Sequence, residues 1–333
     1  PMEKVIAVVV TYNRKALLSE CINALRNQTR TLDAILVVNN GSTDDTEEWL
    51  LNQKDLYFVT QKNVGSSGGF ATGINWAYEN NYSWIWCMDD DGYPKEDALE
   101  KLLDADDGCL RLINCAVIDK EDKKTFVWKT QQYRNLDEVD CKIIEGIGHP
   151  FNGTLLHRRI IERVGVPKPK YFLWGDETEY YYRIVRQNGI PVRTIADSIH
   201  YHPATAFSLK KDWDYNSGWK MYYYIRNRFF IHQTKFSNKA VALLHYYCFI
   251  VAFTGVVMLY QKTDRLKKLS FIMWPVTDAF NSNFDVTPPV ILSKLKANET
   301  FSLTGSINGY LKNTWSAIFT PIASLRARRA ANA

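Results

Sequence analysis

The sequence predicts an α/β protein: a mostly parallel central sheet with helices on both faces, followed by a mainly helical C-terminal region. Three observations carry this. Apolar runs of strand length alternate with segments of helical spacing through the first hundred residues. Polar residues gather where those runs end. Beyond about residue 235 the alternation gives way to long apolar stretches interspersed with basic residues.

The elements follow in order. Val5 to Val10 is a continuous apolar run, the pattern of a strand buried on both faces. Leu17, Leu18, Cys21, Ile22 and Leu25 form one helical stripe. Ala34 to Val38 reads as a second buried strand, and Thr43 to Leu51 as a helix opened by a Ser/Thr/Asp cluster. Leu56 to Val59 predicts a third strand, Gly73 to Asn80 the end of a helix, and Trp84 to Met88 a fourth strand. Leu112 to Ile147 is less regular, with shorter strands expected. Phe151 to Ile161 passes from Asn152-Gly153 into a helix, Lys168-Pro169-Lys170 marks a loop, and Tyr180 to Gln187 is helical. Val192 to Ile195 looks like a strand. Such alternation implies parallel strands, and ligands on parallel sheets gather at the carboxyl ends of the strands. Thr11, Asn39, Asn40 and Asp89 to Asp91 all fall at those ends.

Composition narrows the class. With 46% apolar and 23% charged residues in 333, a packed core is expected rather than disorder. The net charge of +5 is uneven: Phe236 to Ala333 holds 11 Lys and Arg against 4 Asp and Glu. A basic segment suits nucleic acid or an anionic membrane surface, and its aromatic and aliphatic content favours the membrane, so no nucleic-acid partner is expected. No signal-peptide pattern is read, since the first apolar run enters Thr11-Tyr12-Asn13-Arg14 directly. Six cysteines (Cys21, Cys87, Cys109, Cys115, Cys141, Cys248) show no metal spacing, and free, mostly buried thiols in the cytoplasm are expected.

Asp89-Asp90-Asp91 is the strongest chemical signal. Residues one and three of an extended turn point the same way, so Asp89 and Asp91 converge while Asp90 faces elsewhere. Convergent carboxylates suit Mg²⁺ or Mn²⁺; a solvated acidic turn capping the next helix reads alike. Gly65-Ser66-Ser67-Gly68-Gly69 would let backbone N–H groups approach an anion at a helix start, but it lacks the features of a P-loop, and read alone a plain flexible loop is the favoured account. Asp176-Glu177-Thr178-Glu179 places three acids before a helix. Acids there suit the helix dipole; clustered, they also raise one another's pKa toward that of a general base. His200 and His202, at i and i+2, are candidates for a metal contact, although Pro203 suggests a loop.

These motifs, in order, resemble family 2 glycosyltransferases of the GT-A fold. The resemblance is carried by Val9-Val10-Thr11-Tyr12-Asn13-Arg14, Val37-Val38-Asn39-Asn40-Gly41-Ser42-Thr43-Asp44, Asn63 to Phe70, Asp89 to Asp91, Phe151-Asn152-Gly153, Trp174 to Tyr180 and Tyr223 to Asn227. Within the family the bacterial galactofuranosyltransferase and rhamnosyltransferase branch is most similar. The resemblance implies a catalytic domain over residues 2–235, its nucleotide-sugar half about 2–110 and its acceptor half about 111–235, with 236–333 a basic, helical region. It implies that Thr11, Asn39 and Asn63 hold the nucleotide base and ribose, with Asn13, Gly68, Gly69 and Asp90 also on the donor side. Asp89 and Asp91 match the metal-binding DxD, completed by His202, with His200 the alternative. Glu177 matches the catalytic base, Asp176 and Glu179 bind acceptor hydroxyls or position that base, and Trp174 stacks on a sugar.

The implied reaction is an inverting, metal-assisted transfer from a nucleotide sugar to a glycan or lipid-linked glycan. UDP-galactofuranose is the first expectation for the donor and dTDP-rhamnose the second. An inactive carbohydrate- or nucleotide-binding scaffold is a competing class, opposed by intact Asp89, Asp91 and Glu177; a nucleotidyltransferase would need a basic, Gly-rich first turn. Ala240 to Tyr260 is long and apolar enough to span a bilayer, while Leu266 to Trp274 and Ile307 to Leu325 look interfacial. Three readings stand for this region: helices packed with one face on the membrane, oligomer-forming helices, or a true span. Arg326, Arg328 and Arg329 suit anionic headgroups. The cytoplasmic face of the bacterial inner membrane is the expected location.

Overall fold

The computed structural model describes residues 3–128, 130, 132–204, 210–214 and 218–297. The chain divides into two compact units, Pro1–Phe172 with Asp176–Ala206, and Leu173–Gly175 with Phe207–Ala333. The first unit opens with β1 (Val5–Thr11), α1 (Lys15–Arg26), β2 (Ala34–Asn39), α2 (Thr46–Leu51), β3 (Tyr57–Thr60), α3 (Gly65–Glu79) and β4 (Trp84–Asp89). It continues with β5 (Tyr93–Pro94), α4 (Ala98–Asp104), β6 (Leu112–Asp119), β7 (Ile143–Glu145), β8 (Asn152–His157), α5 (Arg158–Val164), α6 (Asp176–Tyr182) and β9 (Val192–His202).

The strands form one mixed sheet in the order β3-β2-β1-β4-β8-β6-β9-β5, with β7 also on β9. Parallel pairs join β1 to β2 and β4, β2 to β3, and β6 to β9. β8 runs antiparallel between β4 and β6. Every residue of β1 and β2 is buried, as their unbroken apolar runs require. Alternate side chains of β1 serve opposite cores. Val5, Ala7 and Val9 pack with Leu18, Ile22 and Leu25 of α1, and Ile6, Val8 and Val10 with Phe70 and Ile74 of α3.

Several elements differ from the sequence expectation. The Gly-rich segment is the start of α3 itself and not a loop ahead of a helix. A Cβ at Gly69 would lie 2.5 Å from Val10 Cγ1, and one at Gly73 2.4 Å from Val8 Cγ1, so these glycines bring the helix down onto β1. β8 occupies Asn152–His157, where only a motif leading into a helix was read. β9 continues as far as His202, past a register shift, so both histidines are on the strand. α6 begins at Asp176, and a π-helical turn over Arg183–Gln187 follows it. Cys21, Cys87 and Cys115 are buried, but Cys109, Cys141 and Cys248 are exposed, so the thiols are not mostly buried.

The second unit contains α7 (Lys220–Lys235), α8 (Lys239–Tyr260), α9 (Arg265–Phe280) and α10 (Pro288–Lys296). α7 therefore sits with the C-terminal helices and not with the sheet. Its Phe229 ring meets Tyr246 of α8 at 5.2 Å and Phe280 of α9 at 5.1 Å. Leu173–Gly175 join this unit because Asn227 Nδ2 donates to the carbonyls of Leu173 and Trp174, at 2.9 and 3.1 Å. α8 is capped by Asn238, whose side chain accepts from the Ala240 and Val241 amides. Ile307 to Leu325, Arg326, Arg328 and Arg329 lie outside the described residues.

Candidate active site

β4 and β9 end close together and bring three candidate ligand residues into one group. Asp89, Asp91 and His202 each place a ligand atom within 4.8 Å of the others. Asp89 closes β4 beside Val10 of β1, and its amide donates to the Phe151 carbonyl at 3.1 Å. His202 closes β9, with Nδ1 2.8 Å from the Pro203 carbonyl. A carbonyl only accepts, so Nδ1 donates a proton there and Nε2 is the ring nitrogen that faces the acidic turn. That Nε2 lies 3.3 Å from Asp91 Oδ1, which is buried without a hydrogen-bond partner among the described residues. An imidazole nitrogen and two carboxylates gathered this closely are ligands that suit a divalent cation. Burial, with Asp91, Asp90 and Glu177 adding to it, pushes the Asp89 carboxyl well above its usual range. Burial also works against Asp91, yet His202 and Arg14 outweigh it and hold that carboxyl at about 2. His200 is left out of the group: it is fully buried, with burial driving its imidazole down to about 3.

Asp90 turns away, as its place between two convergent neighbours requires. Its oxygens accept from Thr11 Oγ1 at 2.7 Å and Arg14 NH1 at 3.1 Å. Burial raises its carboxyl to about 6 despite both partners. Thr11 and Asp90 are thus hydrogen-bonded to each other, and both are buried. Arg14, which drew no role from the sequence, also reaches Asp91 Oδ2 at 2.8 Å. It ties the loop after β1 to the acidic turn.

The other donor-side candidates form a rim network. Asn13 Oδ1 accepts the Thr43 amide at 2.6 Å and the Asp44 amide at 3.3 Å, pinning the turn before α2. Asn39 is buried, accepting from Ser42 N and donating to Thr60 Oγ1. Asn63 Oδ1 accepts from Gly65 N at 3.0 Å and from Asn40 Nδ2 at 3.3 Å. A Cβ at Gly68 would meet Val64 Cγ2 at 2.3 Å. Gly68 and Gly69 thus allow close packing of α3 against Val64 and Val10.

The acids of α6 part ways. Asp176 is buried, and burial, reinforced by Glu177, raises its carboxyl well above the usual range. Ser66 Oγ donates to its Oδ2 at 3.1 Å. Glu179 is fully buried, its oxygens accepting from Lys168 Nζ at 2.7 Å and Arg183 NH2 at 3.1 Å, so ion pairs occupy the atoms expected to meet an acceptor. Glu177 instead lines a cleft of about 270 Å³ with Trp128, Gly148, His149, Pro150, Asn152, Thr178, Tyr181 and Tyr182. Trp174 belongs to the second unit, where its ring meets Tyr224 edge-on at 6.3 Å and Lys220 Nζ lies 5.7 Å from its centroid. The aromatic residues of the cleft are Trp128, Tyr181 and Tyr182. Trp128 fell in the stretch whose strands gave little periodicity and His149 just beyond it, so no sequence signal marked them.

A mostly parallel mixed sheet whose rim holds a carboxylate–histidine group, with a cleft lined by a further carboxylate, is the layout of a GT-A glycosyltransferase. The family model described as Glycosyl transferase family 2 matches residues 6–165. The galactofuranosyltransferase GlfT1 of Mycobacterium tuberculosis (strain CDC 1551 / Oshkosh) is 31% identical over 222 residues, covering 62% of this chain and 73% of that protein. GlfT1 of Mycolicibacterium smegmatis is 32% identical over 223 residues, covering 62% and 74%. The crystal structure of S. aureus TarS 1-349 in complex with UDP superposes with a TM-score of 0.55 at 13% identity, covering 94% of this chain and 90% of that one. The chain belongs to glycosyl transferase family 2 and is a glycosyltransferase.

Proposed function

We propose that this chain is an inverting enzyme that moves galactofuranose from UDP-galactofuranose to a hydroxyl of a growing or lipid-linked bacterial surface glycan. The observation that carries the reading is the position of Glu177, which lines the cleft and also bears electrostatically on Asp89 of the cation group. The donor sugar rests on the likeness to GlfT1, and the nucleotide on that likeness together with TarS, whose structures hold UDP and UDP-GlcNAc.

Asp89, Asp91 and His202 would hold Mn²⁺ or Mg²⁺, and a divalent cation there supplies positive charge to a departing diphosphate. Arg14 steadies Asp90 and Asp91 from the β1 side. Glu177 accepts the proton of the acceptor hydroxyl as its oxygen bonds to the anomeric carbon. The bond from that carbon to the diphosphate breaks, and its electron pair leaves with the diphosphate. One displacement inverts the anomeric centre and needs no covalent enzyme intermediate.

Contact with the cytoplasmic face of the inner membrane belongs to the same reading. α8 is long enough and, at a mean hydropathy of 2.0, apolar enough to cross a membrane. Its exposed Leu259, with Leu266 at the start of α9, stands among exposed Lys262, Arg265 and Lys267. Apolar side chains ringed by cations suit an anionic lipid surface.

Calorimetry with Mn²⁺ against UDP, dTDP and GDP tests the donor, with UDP expected to bind most tightly. NMR of the product should show the anomeric configuration opposite to the donor's. Retention would exclude the single displacement, dTDP preference would point to rhamnose, and binding without transfer to any acceptor would leave a scaffold.

A further inference from the structure

The cleft beside Glu177 contains polar atoms that the fold does not satisfy. His149 Nε2 and Asn152 Oδ1 are both buried without a hydrogen-bond partner among the described residues. Both residues line the cleft, and Asn152 is only 6% exposed. Buried polar atoms are nearly always paired, so two orphans in one cleft point to a ligand that pairs them. The cleft also has an aromatic wall. Trp128 packs on His149 at 4.9 Å between ring centroids and on His202 at 5.3 Å. One indole therefore fixes the orientation of both the cation-group histidine and the cleft histidine. Burial lowers the His149 imidazole to about 4 against the pull of Glu177, so the ring is neutral near pH 7 and offers one donor and one acceptor.

Unpaired neutral donors and acceptors against aromatic faces match a sugar ring, with its hydroxyls around the edge and C–H groups on the face. We propose that His149, held by Trp128 and assisted by Asn152, reads a hydroxyl of the acceptor's terminal sugar and so determines which acceptor Glu177 can deprotonate. This rests on the glycosyltransfer reading above and adds to it the acceptor class, a hexose ring at the end of a glycan, and a specificity-determining residue.

The test uses the full chain with UDP and Mg²⁺, and octyl β-D-galactofuranoside and octyl β-D-galactopyranoside as probes in saturation-transfer NMR. Saturation should reach the ring protons of at least one probe. His149→Phe keeps the stack on Trp128 and deletes both ring nitrogens; it should weaken that probe at least tenfold. His149→Gln restores an amide near the position of Nε2 and should stay within about threefold of the parent. UDP affinity, measured on the same samples, should change less than twofold in both variants. Equal probe binding by His149→Phe and the parent, or no ring saturation from either probe, overturns the proposal while UDP binding stands. A parallel loss of UDP affinity also overturns it, since His149 would then act on the donor side. Failure of the parent to bind UDP sinks the UDP-galactofuranose reading above, so the two failures are distinguishable.

Discussion

Three consecutive aspartates show how one residue type divides its labour by direction. Asp89 and Asp91 converge with His202, while Asp90 is turned into the fold by Thr11 and Arg14. Replacing Asp91 by Ala removes a hard ligand that the substrate diphosphate would share and should abolish transfer. EDTA should mimic the change, with rescue by Mn²⁺ or Mg²⁺; full turnover in EDTA would dismiss the cation group. Glu177→Gln keeps shape and hydrogen bonding but cannot take a proton, so transfer should fall on the order of 100-fold while UDP affinity holds. Single-turnover assays beside UDP titrations separate the two effects. If Asp176→Asn is crippling and Glu177→Gln mild, the base lies one residue earlier. Asp89, Asp91, Glu177 and His202 were all legible as acids or histidines at strand or helix ends. Arg14, Trp128 and His149 were not, because nothing in their neighbours along the chain says what faces them across the sheet.

At the scale of an element, α3 shows tertiary packing overriding local propensity. Glycines weaken an isolated helix, so Gly65-Ser66-Ser67-Gly68-Gly69 reads as a loop. In the fold the lack of side chains at Gly69 and Gly73 lets α3 approach Val10 and Val8 of β1, and packing outweighs the propensity cost. Gly69→Ala should therefore destabilise by about 1–3 kcal/mol, the scale of overpacking a core. Gly255 of α8 makes the contrast: a Cβ there meets nothing within 4 Å. Gly255→Ala should be neutral or gain up to about 1 kcal/mol of helix propensity. Denaturant melts of both variants decide, and an unchanged Gly69→Ala midpoint would contradict the close approach.

For the whole molecule, the question is what the second unit does. Exposed Leu259 and Leu266 beside Lys262, Arg265 and Lys267 predict binding to anionic vesicles with a salt-sensitive and a salt-resistant part. Lys262, Arg265 and Lys267 changed to Ser should lose the salt-sensitive part, about 1 kcal/mol per charge near the surface. Leu259→Ser with Leu266→Ser should lose the remainder. Flotation with anionic liposomes at low and high salt reads both, and protein left at the bottom of the gradient in each condition would assign these helices to folding or assembly.

Order along the chain was enough to identify the α/β class, the four leading parallel strands, the long apolar helix and the acids at the sheet rim. These depend on burial periodicity and on the ends of strands, which are local properties of a chain. Folding alone decided which acids of α6 reach the cleft. Glu179 disappears into ion pairs with Lys168 and Arg183, while Glu177, two residues earlier, faces the cleft. Folding also chose His202 over His200, inserted β8 between β4 and β6, and set Trp128 between two histidines. These pairings join residues up to a hundred or more positions apart, and a contact of that kind is made by the packing of whole elements, which no single stretch of sequence encodes.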